Sequence, residues 1–228
     1  MKILVTAGPT REHIDPVRFL SNPSTGKMGF SIAAVAQQAG HDVTLVTGPV
    51  FLRTPVGVNR IDVVSAREMQ SRVIEQFPNF DVLVMTAAVA DWRPQNKSST
   101  KLKKGEMSDT LKLVRNPDIL KSVKKLNDVF AGEAKYRKFV VGFAAETGAP
   151  VEEAARKCKE KGLDFVVGND VTEKGCGFGT NTNKVVFVFP DGNVKQFPLL
   201  SKISVARKIL EEITNQLAKN AKNGKIKL

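Results

Sequence analysis

The sequence predicts an α/β fold: a doubly wound, mostly parallel sheet with helices on both faces and an antiparallel addition near the C-terminus. Three observations carry that prediction. Short β-branched apolar runs alternate with segments of helical periodicity along most of the 228 residues. The opening run "KILVTAG" is apolar throughout and ends in glycine, as a parallel strand buried on both faces does. Near the end, "NKVVFVFPDGNVKQFPL" reads as a hairpin turning at Asp191-Gly192.

Taken in order, "KILVTAG" is the first strand and "TREHIDPVRFLSNPSTGKMG" (10–29) a loop far longer than the few residues of an ordinary βα turn. "FSIAAVAQQAG" has helical spacing and closes on Gly40 as a C-cap. "HDVTLVTGP" and "RIDVVS" are strands, and Ser65 is the N-cap of "AREMQSRVIEQF", with Glu68 as its capping-box partner. "FDVLVMTAAVADW" is strand-like before it breaks into small residues. The proline-started basic stretch 93–104 reads as a mobile loop. "TLKLVR" is a short strand, and "NPDILKSVKKLN" a helix with Pro117 in its first turn. "KFVVGFAAET" is a strand, "VEEAARKCKEKG" a helix ending on Gly162, and "LDFVVGND" a strand. After the hairpin, Ser201 caps the long amphipathic helix "KISVARKILEEITNQLAKNA". The whole chain, 1–228, reads as one domain without internal repeats.

In this architecture ligands bind beyond the carboxyl ends of the strands, where strand order switches. The 10–29 loop, "MTAAVAD", "GFAAET" and "GND" all follow strands and are expected to converge there. The long loop is therefore read as part of a site.

Composition narrows the function classes. Hydrophobic residues make up 42% and charged residues 25%, the balance of an ordinary globular protein. Thirty-five basic residues against 23 acidic ones give a formal charge of +12, a bias toward anionic partners. The tail "AKNAKNGKIKL" reads as solvated basic surface. Cys158 and Cys176 have no metal-ligand spacing, and no histidine lies near either in sequence, so neither a disulfide framework nor a reactive thiol is expected. No signal-peptide pattern and no run long enough for a membrane span occur, which points to the cytoplasm.

A nicotinamide cofactor is not expected. Gly8 is followed by Pro9-Thr10 rather than the second glycine of a dinucleotide fingerprint, and "HDVTLVTGP" ends without a ribose-binding acid. "STGKMG" resembles a Walker loop only superficially, since Lys27 is followed by Met28. It does open a helix, so backbone N–H groups and the positive dipole end are available to an anion, with Ser24, Thr25 and Lys27 beside them. The alternative is that Ser24 merely caps the helix while Gly26 and Gly29 permit close packing.

"TAGPTREHIDPVRFLSNPSTGKMG", "AAVADWRP", "KLKK", "NPDIL" and "GFAAET", in this order, resemble bacterial phosphopantothenoylcysteine synthetase over almost the whole chain. In many bacteria that synthetase is fused behind a flavin-dependent decarboxylase, a region absent from this sequence, so the resemblance implies either a free-standing synthetase or a domain excised from the bifunctional protein. The resemblance implies a Rossmann-like fold and a two-step ligase reaction of coenzyme A biosynthesis. The carboxylate of 4'-phosphopantothenate attacks the α-phosphate of CTP, giving an acyl-cytidylate and pyrophosphate, and the amine of L-cysteine then expels CMP. It implies Mg²⁺ at the phosphates, a homodimer with sites near the subunit interface, and neither flavin nor NAD.

By the same resemblance, Arg18 and Asn22 act on the acyl-cytidylate, Asn22 as donor to the developing oxyanion and Arg18 through its planar fork. Lys101 of "KLKK" serves acyl-cytidylate formation, with Lys104 a weaker companion. Gly8, Ser24, Met85, Thr86, Ala87 and Asp91 match the nucleotide region. Pro117, Asp118, Ile119 and Leu120 open a helix beside the nucleotide, and Phe143 contacts its base. Lys157 and Lys161, four apart on one helix face, reach its phosphates. Metal ligands and cysteine-binding residues carry no motif. His13 replaces a frequent proline, and "STG" replaces "SSG" with the hydroxyl kept.

Two rival functions follow from the same residues. A nicotinamide-dependent reductase would use this sheet, but the fingerprint is missing. A nucleic-acid-binding module would explain the charge, but the single Trp and single Tyr leave little for base stacking.

Overall fold

A computed structural model describes residues 1–105, 109–132 and 137–222. The N-terminal half runs β1 (Lys2–Ala7), β2 (Arg11–His13), β3 (Phe19–Ser21), α1 (Lys27–Gln38), β4 (Asp42–Thr47), β5 (Asn59–Asp62) and α2 (Ala66–Gln76). The middle continues through β6 (Val82–Met85), β7 (Trp92–Pro94), β8 (Leu113–Arg115), α3 (Ile119–Gly132), β9 (Phe139–Glu146), α4 (Pro150–Lys161) and β10 (Phe165–Asp170). It closes with β11 (Thr182–Asn183), β12 (Val186–Val188), β13 (Val194–Gln196), β14 (Leu200–Ser201) and α5 (Lys202–Lys222).

The main sheet has the order β13-β12-β10-β9-β6-β1-β4-β5. The strands from β10 to β5 are parallel throughout, and β12 and β13 add antiparallel at one edge. Chain order along the parallel part reverses between β1 and β6, which makes that seam the switch point of a doubly wound sheet.

The two faces are built by the alternation of strand side chains. Ile3, Val5 and Ala7 of β1 join Phe139, Phe165 and Phe187 under α1 and α5. Leu4 points the other way, with Leu83, Met69, Phe77 and Val123 under α2, α3 and α4. Phe139, Phe165 and Phe187 are almost wholly buried, and each such ring contributes about 1.5–3 kcal/mol of burial.

The local punctuation behaves as chemistry dictates. Ser65 Oγ accepts from Glu68 N–H while the Glu68 carboxylate accepts from Val64 N–H. Gly162, in the left-handed region at φ 61°, ends α4. The Asp191-Gly192 hairpin joins β12 to β13, and Ser201 Oγ accepts from Ser204 N–H at the start of α5.

Three expectations need correction, and half of one alternative, the Ser24 cap, falls away. The 10–29 stretch is not all loop: β2 and β3 pair as an antiparallel hairpin, fastened where Glu12 Oε1 accepts from Ala66 N–H and Val64 O accepts from Arg11 N–H. The stretch 93–104 is not all loop either, because Trp92–Pro94 pairs antiparallel with Leu113–Arg115. Pro117 lies before α3 rather than in its first turn, and Asp118 Oδ1 accepts from Lys121 N–H to start the helix. Ser24 does not cap α1; Gly26 occupies that position at φ 78°, and Ser24 Oγ accepts only from Gly26 N–H. Of the basic tail, residues 223–228 lie outside the described residues.

Candidate active site

The site grows from the β1/β6 seam. Beyond the strand ends the two chains stay joined, with Ala88 N–H donating to Gly8 O at 2.9 Å and Ala87 N–H to Thr6 Oγ1 at 3.2 Å. Small residues let α1 press its first turn onto this seam. A Cβ built on Gly29 would stand 2.5 Å from Thr86 Oγ1, 2.6 Å from Ala7 Cβ and 2.8 Å from Thr6 O. Gly29→Ala is therefore expected to cost about 2–3 kcal/mol. Thermal unfolding should show a Tm lower by about 5 °C or more, and an unchanged Tm would mean that α1 can slide away from the seam.

Two cavities open here and share a wall. The first, about 610 Å³, is lined by Met85, Ala87, Asp91, Pro117, Asp118, Ile119, Leu120, Phe143, Lys157 and Lys161 among others. The second, about 380 Å³, lies over the N-terminus of α1 and takes in Asn22, Ser24, Thr86, Ala87, Asp91, Phe143 and Lys157. Ala87, Asp91, Phe143 and Lys157 belong to both. Motifs remote in sequence are tied together around them. Asn116, just before Pro117, donates from its side chain to Ala90 O at 2.8 Å and from its backbone to Asp91 O at 2.8 Å.

Charge is arranged unevenly across this floor. Lys157 Nζ donates to Phe143 O at 2.6 Å, and burial holds its ammonium below the usual lysine range despite nearby Glu146, Glu153 and Asp118. Lys161 pairs with Asp118. Burial works against ionisation of Asp118, but the Lys161 ammonium and the Lys121 N–H outweigh it, so its carboxyl lies below its ordinary value. Asn22 Nδ2 donates to Ala88 O at 3.1 Å, which orients its amide at the rim of the second cavity.

Gly8, Arg18, Lys101 and its companion Lys104, all singled out in the sequence, line neither cavity. Gly8 sits beside them at φ 72°, in the left-handed region. Arg18 is occupied by Asp15, whose fully buried carboxylate accepts from Arg18 Nε at 3.0 Å and from the backbone N–H groups of Val17 and Arg18 at 2.8 Å each. The same pair grips the residue next to Lys101: Leu102 N–H donates to Asp15 Oδ2 at 3.2 Å, and Arg18 Nη2 donates to Leu102 O at 2.8 Å. Lys101 itself is exposed. The hairpin and the "KLKK" segment are thus fastened to one another at Leu102.

This fastening is pH-sensitive with a definite sign. The Arg18 guanidinium and the three backbone N–H groups, against burial, hold the Asp15 carboxyl far below the carboxylate range. A depressed folded pKa stabilises the fold above the unfolded value of about 4, and that stabilisation drains away as pH falls below it. Asp15→Asn is expected to melt below the wild type at pH 7, with the gap narrowing steadily below about pH 4. Melting curves at pH 7 and pH 3 with equal gaps would show that Asp15 ionisation does not hold this junction.

Asn169 of "GND" reaches the second cavity as expected from the end of β10. Asn183, Phe178 and Lys202, from the glycine-rich 175–183 segment and the start of α5, carried no sequence signal. Trp92 and Arg115 line the first cavity, with the Arg115 guanidinium 5.1 Å above the Trp92 ring.

Residues 1–217 match the family model described as the DNA/pantothenate metabolism flavoprotein C-terminal domain. The coenzyme A biosynthesis bifunctional protein CoaBC of Vibrio vulnificus (strain YJ016) is 47% identical over 213 residues, covering 92% of this chain and 51% of that protein. The corresponding protein of Bacillus subtilis (strain 168) is 44% identical, with 92% and 50% covered. The chain spans about half the length of these curated relatives. A crystal structure of the C-terminal domain of CoaBC is similar at a TM-score of 0.77 and 41% identity, with 96% of each chain covered. With its extent, sequence and doubly wound sheet all in agreement, the chain belongs to the DNA/pantothenate metabolism flavoprotein C-terminal domain family.

Proposed function

We propose that residues 1–228 form one domain with the activity of a CTP-dependent phosphopantothenate–cysteine ligase of coenzyme A biosynthesis. The observation that carries the reading is the pair of cavities meeting at Ala87, Asp91, Phe143 and Lys157 on the switch point. One offers a partly apolar slot between Met85, Leu120 and Phe143, suited to a flat base. The other offers the uncapped N-terminus of α1 and lysines, suited to phosphates. Membership of the family, and likeness to proteins named for coenzyme A biosynthesis, support the same reading.

In this mechanism the carboxylate oxygen of 4'-phosphopantothenate bonds to the α-phosphorus of CTP. The α–β bridging oxygen leaves with its electron pair, as pyrophosphate. The amine of L-cysteine then attacks the acyl carbon and CMP departs. The protein's task is to hold two polyanions together and to stabilise charge where it develops. Asn22, oriented by Ala88 O, donates to the acyl oxygen as it becomes anionic. Lys157 and Lys161 sit where nucleotide phosphates pass, Asp91 accepts from the nucleotide, and Lys101 swings in from the segment gripped at Leu102.

A divalent cation fits this wall in a limited way. Among the described residues no three His, Cys, Asp or Glu side chains gather to hold one, while Asp91 and Glu146 are the carboxylates of the second cavity. That set suits Mg²⁺ carried mainly by phosphate oxygens and water. Bound there, it would supply charge neutralisation between the two anions.

A homodimer belongs to the same proposal. Val17, Phe19, Trp92 and Leu113 are exposed apolar side chains on the two small hairpins, a surface that a second copy would cover. So does a cytoplasmic setting; no helix among the described residues is long and apolar enough to cross a membrane.

The test is pyrophosphate release with 4'-phosphopantothenate and Mg²⁺, comparing CTP with ATP, with and without L-cysteine. Release that requires the pantothenate substrate and prefers CTP is the expected result. Release with ATP alone would keep the ligase and overturn the nucleotide, and none with either would overturn the reaction.

A further inference from the structure

We propose that Glu146, the last residue of β9, receives the amine of L-cysteine in the second half of the reaction and takes the proton it sheds. This rests on the ligase reading and adds to it a residue for the second substrate.

Glu146 is half-buried and lines the second cavity with Asn22, but it does not line the first. Asp91, the other carboxylate of that cavity, lies on the wall shared with the first. Among the described residues the Glu146 carboxylate accepts no hydrogen bond and joins no ion pair. Its neighbours are already committed. Asp170, opposite it in register on β10, accepts from Thr172 N–H at 2.8 Å, from the Thr172 hydroxyl at 2.6 Å and from Gly148 N–H at 3.2 Å. Glu153 of α4 pairs with Arg156. Lys157 feels the charge of Glu146, yet its Nζ is spent on Phe143 O at 2.6 Å.

A free carboxylate is out of place in a cavity built only for polyanions. Lys27, Lys157, Lys202 and the start of α1 all favour phosphate there, and Glu146 opposes it. Its presence calls for a partner with positive charge or N–H donors. Asn183 makes a second, independent demand, since it is 4% exposed on the same cavity and its buried Oδ1 has no donor. Of the reactants, L-cysteine alone brings an aliphatic amine.

The order of the reaction leaves room for it. Pyrophosphate, with any cation its oxygens carry, is gone before the amine attacks, and the cavity of about 380 Å³ is then free for an amino acid. In the mechanism above, Asn22 donates to the acyl oxygen at the rim of this cavity, so the amine approaches the acyl carbon from within it. Cysteine enters as the ammonium, held by Glu146 through a charge-assisted hydrogen bond, and gives its first proton to solvent. The nitrogen lone pair then bonds to the acyl carbon, the carbonyl electrons move onto the oxygen facing Asn22, and the nitrogen becomes cationic. Glu146 takes one of its protons. As the carbonyl re-forms, the bond to the phosphate oxygen breaks and its electron pair leaves with CMP.

The test follows the two halves separately in the intact protein. With CTP, 4'-phosphopantothenate and Mg²⁺ but no cysteine, Glu146→Gln is expected to release pyrophosphate within about twofold of the wild type, with an unchanged KM for CTP. That release also reports that the variant is folded. On addition of cysteine, its CMP release should fall by roughly 10² or more. Hydroxylamine, a weakly basic amine whose nitrogen sheds its proton readily, should restore the variant to within about fivefold of the wild type with the same nucleophile. Glu146→Asp, which keeps the carboxylate on a shorter arm, should lie between the two. Glu152→Gln removes the same charge from the exposed first turn of α4 and should leave both halves unchanged. Equal deficits with cysteine and hydroxylamine would overturn the proposal. So would a loss of pyrophosphate release or a raised KM for CTP in Glu146→Gln, which would assign the carboxylate to the nucleotide or its cation. Absence of pyrophosphate release by the wild type is the failure of the ligase reading itself, and it is seen before any variant is compared.

Discussion

Asn22→Asp is expected to release pyrophosphate near the wild-type rate and then to stall, with acyl-cytidylate accumulating on the enzyme. The substitution keeps size and shape and exchanges a donor for an anion. In the native protein Nδ2 already donates to Ala88 O, which fixes the amide at the rim of the second cavity. In the proposed mechanism the other N–H of that amide is the one offered to the acyl oxygen. Formation of the acyl-cytidylate places no negative charge there, whereas attack by the cysteine amine does. Loss of one such donor costs roughly 10²–10³ in rate, and a carboxylate in its place adds repulsion. Quenched-flow sampling with CTP and 4'-phosphopantothenate, followed by addition of cysteine, separates the two steps. Equal slowing of both would reject the assignment of Asn22 to the second.

Lys101→Gln is expected to do the opposite and stop the first step, with pyrophosphate release down by roughly 10² or more. Lys101 is exposed and lines neither cavity, so the proposed action requires a swing toward the triphosphate. The proposed pivot is Leu102. Leu102 is held at both its N–H and its carbonyl by the buried Asp15 and by Arg18. Asp15→Asn should therefore share part of the phenotype, lowering kcat for pyrophosphate release with little change in the KM for CTP. Normal pyrophosphate release by Lys101→Gln would remove Lys101 from the chemistry. A normal Asp15→Asn beside a dead Lys101→Gln would show that Lys101 needs no pivot. Arg18 also takes on a second meaning here, because its fork is already engaged by Asp15 and Leu102 within this chain.

What could be read in advance follows from how far each interaction reaches along the chain. The strands, the Ser65–Glu68 capping box, the Gly162 cap and the Asp191-Gly192 turn each depend on residues within a few positions of one another. Their hydrogen bonds and allowed dihedrals are written in the local order of side chains. The convergence of "MTAAVAD", "GFAAET" and "GND" was legible too, because a doubly wound sheet sends every such loop to one edge.

The two hairpins were not legible in this way. β2, β3 and β7 are three residues long, too short for periodicity to rise above their surroundings, and β8, read as the strand "TLKLVR", gave no sign of its partner. Pro117 misled by its preference for a helical first turn, where the carboxylate of Asp118 started the helix instead. Asp15 and Leu102 are 87 residues apart. Lys202 and Asn183 carry no motif and meet Lys27 only because α5 folds back against α1 across one face of the sheet.

By itself, then, the sequence determined the strands of the main sheet, the helices, and the sheet edge on which a ligand would lie. Tertiary structure alone decided which side chains are already engaged, such as Arg18 with Asp15 and Leu102, and which groups of remote segments share a cavity. The physical reason is range. Caps and turns close over three or four residues, whereas burial and long-range hydrogen bonds belong to groups that become neighbours only when the chain has folded.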